Sequence, residues 1–174
     1  PMKPIQMFEE RCTRGKSHIA RAPDRIAHTL LDLIVDNYKP ALEELSFEIA
    51  HLEDQVLQNA GRETLNQILL IKKEVLHLLT IIGPQREIIS RFASSEFKLI
   101  RPHMVPYYRD IYDSLFRIST TAQAYMDSLT GILQVYLNLS SNQTSEVVKL
   151  LTIITVITTP VMIVGTWYGM NFKH

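Results

Sequence analysis

The sequence predicts an all-α protein: an antiparallel helical hairpin, then one very long stalk helix that continues into a transmembrane helix. Three observations predict it. Apolar residues recur at alternating spacings of three and four over long stretches, the pattern of supercoiled helices. Between Lys149 and Lys173 lie 23 residues without a charge. Only 6 glycines occur among 174 residues, which disfavours β-sandwiches, dinucleotide-binding folds and glycine-rich phosphate loops.

Residues 1–22 show no sustained period and read as the remnant of something upstream, and the opening Pro1 reads as the start of a fragment. A helix is expected from Pro23, where proline costs least, with Asp24 in its first turn. Pro40 is expected to kink or split it. Its later part carries the seam Leu42, Leu45, Ile49, Leu52 and Val56. Seven acids between Asp32 and Asp54 face one base, Lys39; they form either a solvated face or a surface that gathers cations. Asn59-Ala60-Gly61 is expected to end the helix in a left-handed cap. A second helix is expected from about Glu63 to Leu99, with Leu65, Ile68, Leu69, Leu76, Leu79, Ile82 and Ile89 on its apolar side and a bend at Gly83-Pro84. The short link makes the pair a hairpin.

Pro102 and Pro106 mark the next break. A third helix is expected from Tyr107. Its seam is Ile111, Leu115, Ile118, Ala122, Tyr125, Leu129, Ile132, Tyr136 and Leu139, without a slip. Gly131 costs only about 1 kcal/mol within a helix, so nothing stops it before Gly169. From Ile118 to Ser145 the one charge is Asp127. A helix alone in water carries more on its outer face. This stretch is therefore expected to be surrounded, by the hairpin on one side and by copies of itself on another.

Ten residues of the uncharged run are Leu, Ile, Val or Phe. At roughly −0.3 to −0.6 kcal/mol each they favour insertion by about 3–6 kcal/mol. As a helix the run spans about 34 Å, enough for a hydrocarbon core of about 30 Å. The run is not apolar all round. Thr152, Thr155, Thr159 and Thr166 share one face, Met162 fills the gap in it, and Gly169 extends it. Ser145, with Asn138 and Asn142, continues it upstream. Such a face either joins membrane helices or lines a wet cavity. Val148 and Leu151 lie beside it, one turn apart. Trp167 and Tyr168 suit a membrane interface. Asn171 then offers an uncharged carboxamide, which either caps the helix or, repeated by rotational symmetry, forms a ring of dipoles at a pore mouth.

Equal numbers of basic and acidic residues, 18 of each, argue against nucleic-acid binding. Cys12 is alone and forms no internal disulfide. The six histidines show no zinc-ligand spacing.

The stretch Gly165-Thr166-Trp167-Tyr168-Gly169-Met170-Asn171-Phe172 resembles the Gly-Met-Asn signature of the CorA family of magnesium transporters. Ser145-Glu146-Val147-Val148-Lys149-Leu150-Leu151-Thr152-Ile153-Ile154 is similar to the family's lead-in to its first membrane helix. Tyr107-Tyr108-Arg109-Asp110-Ile111-Tyr112-Asp113 is similar to the start of its stalk. Leu31-Asp32, Val35-Asp36-Asn37-Tyr38 and Pro40 match the helix before it. Ser145 stands where the family often has Asn, and Val148 where Met is common.

The resemblance implies a homopentamer in a lipid bilayer, with residues 1–22 as the remnant of an upstream cytoplasmic α/β domain, 23–149 as cytoplasmic hairpin and stalk and 150–172 as the first transmembrane helix. A second such helix would follow in the multi-pass protein of a cell inner or plasma membrane. Gly169, Met170 and Asn171 would form the selectivity filter. Ser145, Val148, Leu151, Thr152, Thr155, Thr159, Met162 and Thr166 would line the pore. Asp110 and Asp113 would hold a regulatory metal. Mg²⁺, with Co²⁺ second, would be the transported ion, and Mg²⁺ also the regulatory one, with no organic cofactor and no enzymatic activity. No phosphate loop couples the chain to ATP, so transport is expected to be passive. Two other readings stand beside this one: a tail-anchored coiled-coil protein without transport, and a zinc-transporting relative of the same fold.

Overall fold

The computed structural model describes residues 10, 22–58, 61–94, 96–97 and 99–169. Among them the regular structure is wholly helical: α1 Pro23–Asp36, α2 Tyr38–Gln58, α3 Arg62–Ala93, a 3₁₀ turn Pro102–Met104, and α4 Val105–Gly169. The expectations for most of residues 1–22, for Asn59 and Ala60, and for Met170 and Asn171 lie outside the described residues.

The chain breaks at Asn37 and not at Pro40. Asn37 leaves α1 with its N–H bonded to the carbonyl of Ile34 at 3.2 Å. Pro40 then falls in the first turn of α2, where a helix lacks internal acceptors for its N–H groups and a missing one costs nothing. Gly61 also departs from expectation. Its φ of −85° and ψ of 170° are extended, and it is the residue before α3 rather than a left-handed cap. α3 continues through Gly83-Pro84 without interruption and ends at Ala93, short of Leu99; Ser94 closes it, with its N–H on the carbonyl of Ser90.

All five expected seam residues of α2 are buried. On α3 the buried positions are Thr64, Ile68, Val75, Ile82, Ile89 and Ala93. Leu69 and Leu76, expected on the apolar side, are 50% and 56% exposed. A spacing of seven from Ile68 selects Val75 and Ile82, and the leucines beside them fall one position off that line. α2 and α3 run in opposite directions: one groove between them is lined by Gln55 with Gln67 and Glu48 with Glu74, the next by Ala41 with Ile81.

α4 has 65 residues, about 97 Å at about 1.5 Å each. It starts two residues before Tyr107. Seven of its nine expected seam residues are buried, and Tyr125 and Leu139 are partly so. Their partners are α3 above all, and α2. The stretch was expected to be surrounded by the hairpin on one side and by copies of the chain on another. The hairpin of the same chain fills the seam, because the three helices share one line of apolar positions.

A second, smaller cluster closes the lower end. Ala93, Met104 and Tyr108 pack with Phe92 and Leu31. Here the side chain of Asp24, 3% exposed, accepts from Arg101 Nη2 at 2.7 Å and Nε at 2.8 Å, and from the N–H of Arg25 at 2.9 Å. Tyr108 Oη donates to the Asp24 carbonyl at 2.7 Å. The Arg101 guanidinium lowers the Asp24 pKa to about 2, against the opposing effect of burial. Burial, helped by the Asp24 charge, pushes the Tyr108 phenol up.

Candidate functional site

The last part of α4 is long and apolar enough to cross a membrane, and none of the described residues covers it. Every residue from Thr144 to Gly169 is exposed, Leu151 at 63% and Trp167 at 80%. On this bare helix the threonines form a row. Thr152 Oγ1 donates to the carbonyl of Val148 at 2.8 Å, Thr155 to Leu151 at 2.8 Å, Thr159 to Thr155 at 2.7 Å and Thr166 to Met162 at 2.6 Å. Each hydroxyl proton is thereby spent within the helix. Each hydroxyl oxygen keeps lone pairs directed away from it, so the row presents acceptors.

The row has a fixed relation to the seam. Ser145, Val148, Thr152, Thr155, Thr159, Met162, Thr166 and Gly169 alternate by three and four, as the seam does, but roughly 150° around the helix from it. The same alternation carried backwards meets Ser141, Asn138, Gln134, Gly131, Asp127, Ala124, Thr120, Arg117, Asp113 and Asp110. All ten are exposed. One uncovered face, mostly small and polar, therefore runs from Asp110 to Gly169. Leu151 lies on the flank of this face, while Val148 lies on it.

Asp110 and Asp113 stand in the second turn and beyond. The first turn of α4 holds no acid, so compensation of the helix dipole, which fades within one turn, does not explain them. Among the described residues no group of three or more histidine, cysteine or acidic side chains converges as a metal site. The Asp24–Arg101–Tyr108 clasp was not legible as a site. Asp24 reads in sequence as a first-turn charge, and its partner is 77 positions away.

A family model described as CorA-like Mg²⁺ transporter protein matches residues 1–174. The chain is 38% identical over 164 residues to the cobalt/magnesium transport protein CorA of Thermotoga maritima, covering 94% of this chain and 46% of that protein. The chain belongs to the CorA-like Mg²⁺ transporter family. The CorA of Methanocaldococcus jannaschii is 24% identical over 150 residues, 86% of this chain and 47% of that CorA. Its complete structure aligns with a TM-score of 0.86 at 22% identity, over 100% of this chain and 56% of that one, which shows the fold. The chain thus spans about half the length of the CorA relatives it matches. Its uncovered apolar helix agrees with membership of that family.

Proposed function

We propose that this chain supplies the stalk and the pore-lining helix of a passive, channel-like transporter of divalent cations, Mg²⁺ foremost and Co²⁺ second. The observation that carries the reading is the uncovered polar face from Asp110 to Gly169, opposite a seam filled by the chain's own hairpin. A lone lipid anchor has no use for such a face. Five copies around an axis would turn it inward, with the hairpins outside and residues 150–172 in the bilayer. The names of the relatives, cobalt/magnesium transport proteins, support the choice of ion. The stalk would lie in the cytoplasm of a multi-pass protein.

The chemistry suits a hydrated ion. Mg²⁺ releases its water reluctantly. Its shell waters point hydrogens outward, and threonine oxygens whose own protons are already engaged receive them. Carboxamides of Asn171, behind Gly169 and Met170, would do the same at the outer mouth without adding fixed charge. Several weak sites in series favour conduction over trapping. Val148, with Leu151 at its flank, would close the stalk-side end by dewetting. Asp110 and Asp113 would contribute to a regulatory Mg²⁺ site completed from elsewhere in the assembly. Bound metal would hold the closed ring by neutralising carboxylates that otherwise repel.

Asn171→Leu in the full-length protein tests the reading. Mg²⁺ uptake into liposomes is expected to stop while the oligomer keeps its size by light scattering. Normal uptake by the intact oligomer would remove the filter role.

A further inference from the structure

The two sides of the hairpin differ in charge and match in height. α2 carries five acids and one base, α3 five bases and three acids. One edge of α3 rests on one flank of α4: Lys72 Nζ donates to Thr130 Oγ1 at 3.3 Å, and the Arg86 guanidinium lies 5.8 Å from the centre of the Phe116 ring. On the other flank of α4, Glu53 and Leu57 of α2 line a groove with Ser128 and Val135. Beyond these edges each hairpin helix turns an exposed stripe away from the other. On α3 it holds Leu69 and Leu76, 50% and 56% exposed, with Lys73 beside them. On α2 it holds Ala50 and Leu57, the latter 67% exposed, with Asp54 beside them.

Resting on the reading that the polar face of α4 lines a shared axis, we infer that these stripes are the two halves of one contact: the α3 side of each copy docks on the α2 side of the next, leucines on leucine and alanine, lysines on acids. Copies related by an axis along α4 keep one height. Thr130 and Ser128 mark the heights of Lys72 and Glu53 on α4, and Gln55 lies across from Gln67. Leu57 therefore comes within about one turn of the next copy's Leu69, Ala50 of its Leu76, and Asp54 and Glu53 of its Lys73 and Lys72. Side chains on a helix lean toward its start, which on α3 is the direction of those acids. Lower down, Tyr38 Oη donates to Gln85 Oε1 at 3.0 Å, so Lys39 stands at the height of Arg86 and like charges end the contact there.

The spacing closes as well. With neighbours about 9.5 Å apart, five α4 helices form a ring of radius about 8 Å and ten hairpin helices one of about 15 Å, which leaves each hairpin helix about 8 Å from its own α4, within the range of packed helices. Such a head-to-tail contact builds a ring because every copy offers both halves. The apolar stripes supply attraction, and the charges choose the sides, since α2 on α2 would oppose acids to acids. The competing account leaves both stripes in water, each hairpin standing clear of the next.

The test is disulfide cross-linking of the full-length protein in liposomes, in a Cys12→Ser background. Leu57→Cys and Leu69→Cys face opposite sides of one hairpin, so a bond between them joins two copies. Mild oxidation is expected to give a ladder of cross-linked chains on a denaturing gel. Ala50→Cys with Leu76→Cys probes the same contact two turns away and is expected to give the same ladder. Leu57→Cys with Ile88→Cys, about 30 Å apart in height, is expected to stay monomeric. Adding Asp54→Lys to the first pair is expected to cut the yield roughly fivefold at low salt, and adding Lys73→Asp as well is expected to restore it. No ladder from either pair, a product that stops at two chains, equal cross-linking of the Ile88 pair, or a yield indifferent to Asp54→Lys overturns the inference. Ala124→Cys alone, on the axis-facing row, separates the two levels. If it cross-links while both hairpin pairs do not, the shared axis stands and only the lateral contact fails. If none of the three cross-links, the shared-axis reading falls and this inference with it.

Discussion

One helix, α4, has two halves that its own chain treats in opposite ways. From Ile111 to Tyr136 the seam is buried against α2 and α3, with Leu115, Ala122 and Leu129 at 0% exposure. From Thr144 onwards every described side chain is exposed. The spacing of three and four runs through both halves, so it does not distinguish them. Composition does. The first half alternates an apolar seam with polar positions, and the hydrophobic effect in water closes it onto the hairpin. From Leu150 the second half is apolar outside its threonine row, and lipid is as apolar as leucine, so no such force pairs those apolar positions with anything. What remains to organise the second half is the threonine row. An unbroken seam therefore identifies a buried face without naming the partner; here the partner is the hairpin of the same chain.

The sharpest way to break this comparison is a cavity in the first half. Leu129→Ala removes a side chain with no exposure and is expected to cost about 2–5 kcal/mol. Val156→Ala, the matching truncation at a 63% exposed position, is expected to change stability by less than about 1 kcal/mol. Denaturant or thermal midpoints of the full-length protein in detergent check the pair. Equal losses would mean that both halves are packed alike.

A second contrast concerns the lower end of the first half. Arg101→Ala leaves the buried Asp24 carboxylate short of its charged donors and is expected to cost about 2 kcal/mol at neutral pH. Asp24 titrates at about 2 in the fold against 3.8 normally. A lowered pKa stabilises the fold where the group is ionised. The contribution is therefore complete above about pH 4 and is lost as pH falls through about 2. The stability gap between parent and Arg101→Ala is expected to narrow over that window in an acid titration. A gap that stays constant would place the loss in packing rather than in charge.

The smallest stability effect belongs to the second half. Thr152→Val together with Thr159→Val removes two hydroxyls whose protons serve only their own helix. Melting is expected to move by less than about 0.5 kcal/mol, while Mg²⁺ flux falls. The corresponding serine pair restores the acceptors and is expected to restore flux. Unchanged flux in the valine pair would reduce the row to ordinary helix chemistry.

These contrasts mark what the residues reveal on their own. Helix identity and the seams of α2 and α4 were legible, since burial on one face imposes a period that survives any detail of packing. The break at Asn37 was legible only to within three residues, because proline within the first turn continues a helix as readily as it starts one. On α3 too many leucines satisfied the pattern, and only packing separates buried Val75 from exposed Leu76. The polar row was legible within the uncharged run; its continuation to Asp110 emerged once the covered face of α4 was known. The Asp24–Arg101 clasp joins positions that no local pattern connects.

The central claim is that the face holding Thr152, Thr155, Thr159 and Thr166 meets water inside the membrane. Single cysteines placed from residue 145 to 169 in the full-length protein, with Cys12 replaced by serine, test it through labelling by a small, charged, membrane-impermeant thiol reagent. The account predicts labelling at 145, 148, 152, 155, 159, 162 and 166, slowed by Mg²⁺, with positions 150, 153, 157 and 164 protected. Labelling that is uniform, absent, or centred on 150, 153 and 157 would contradict it.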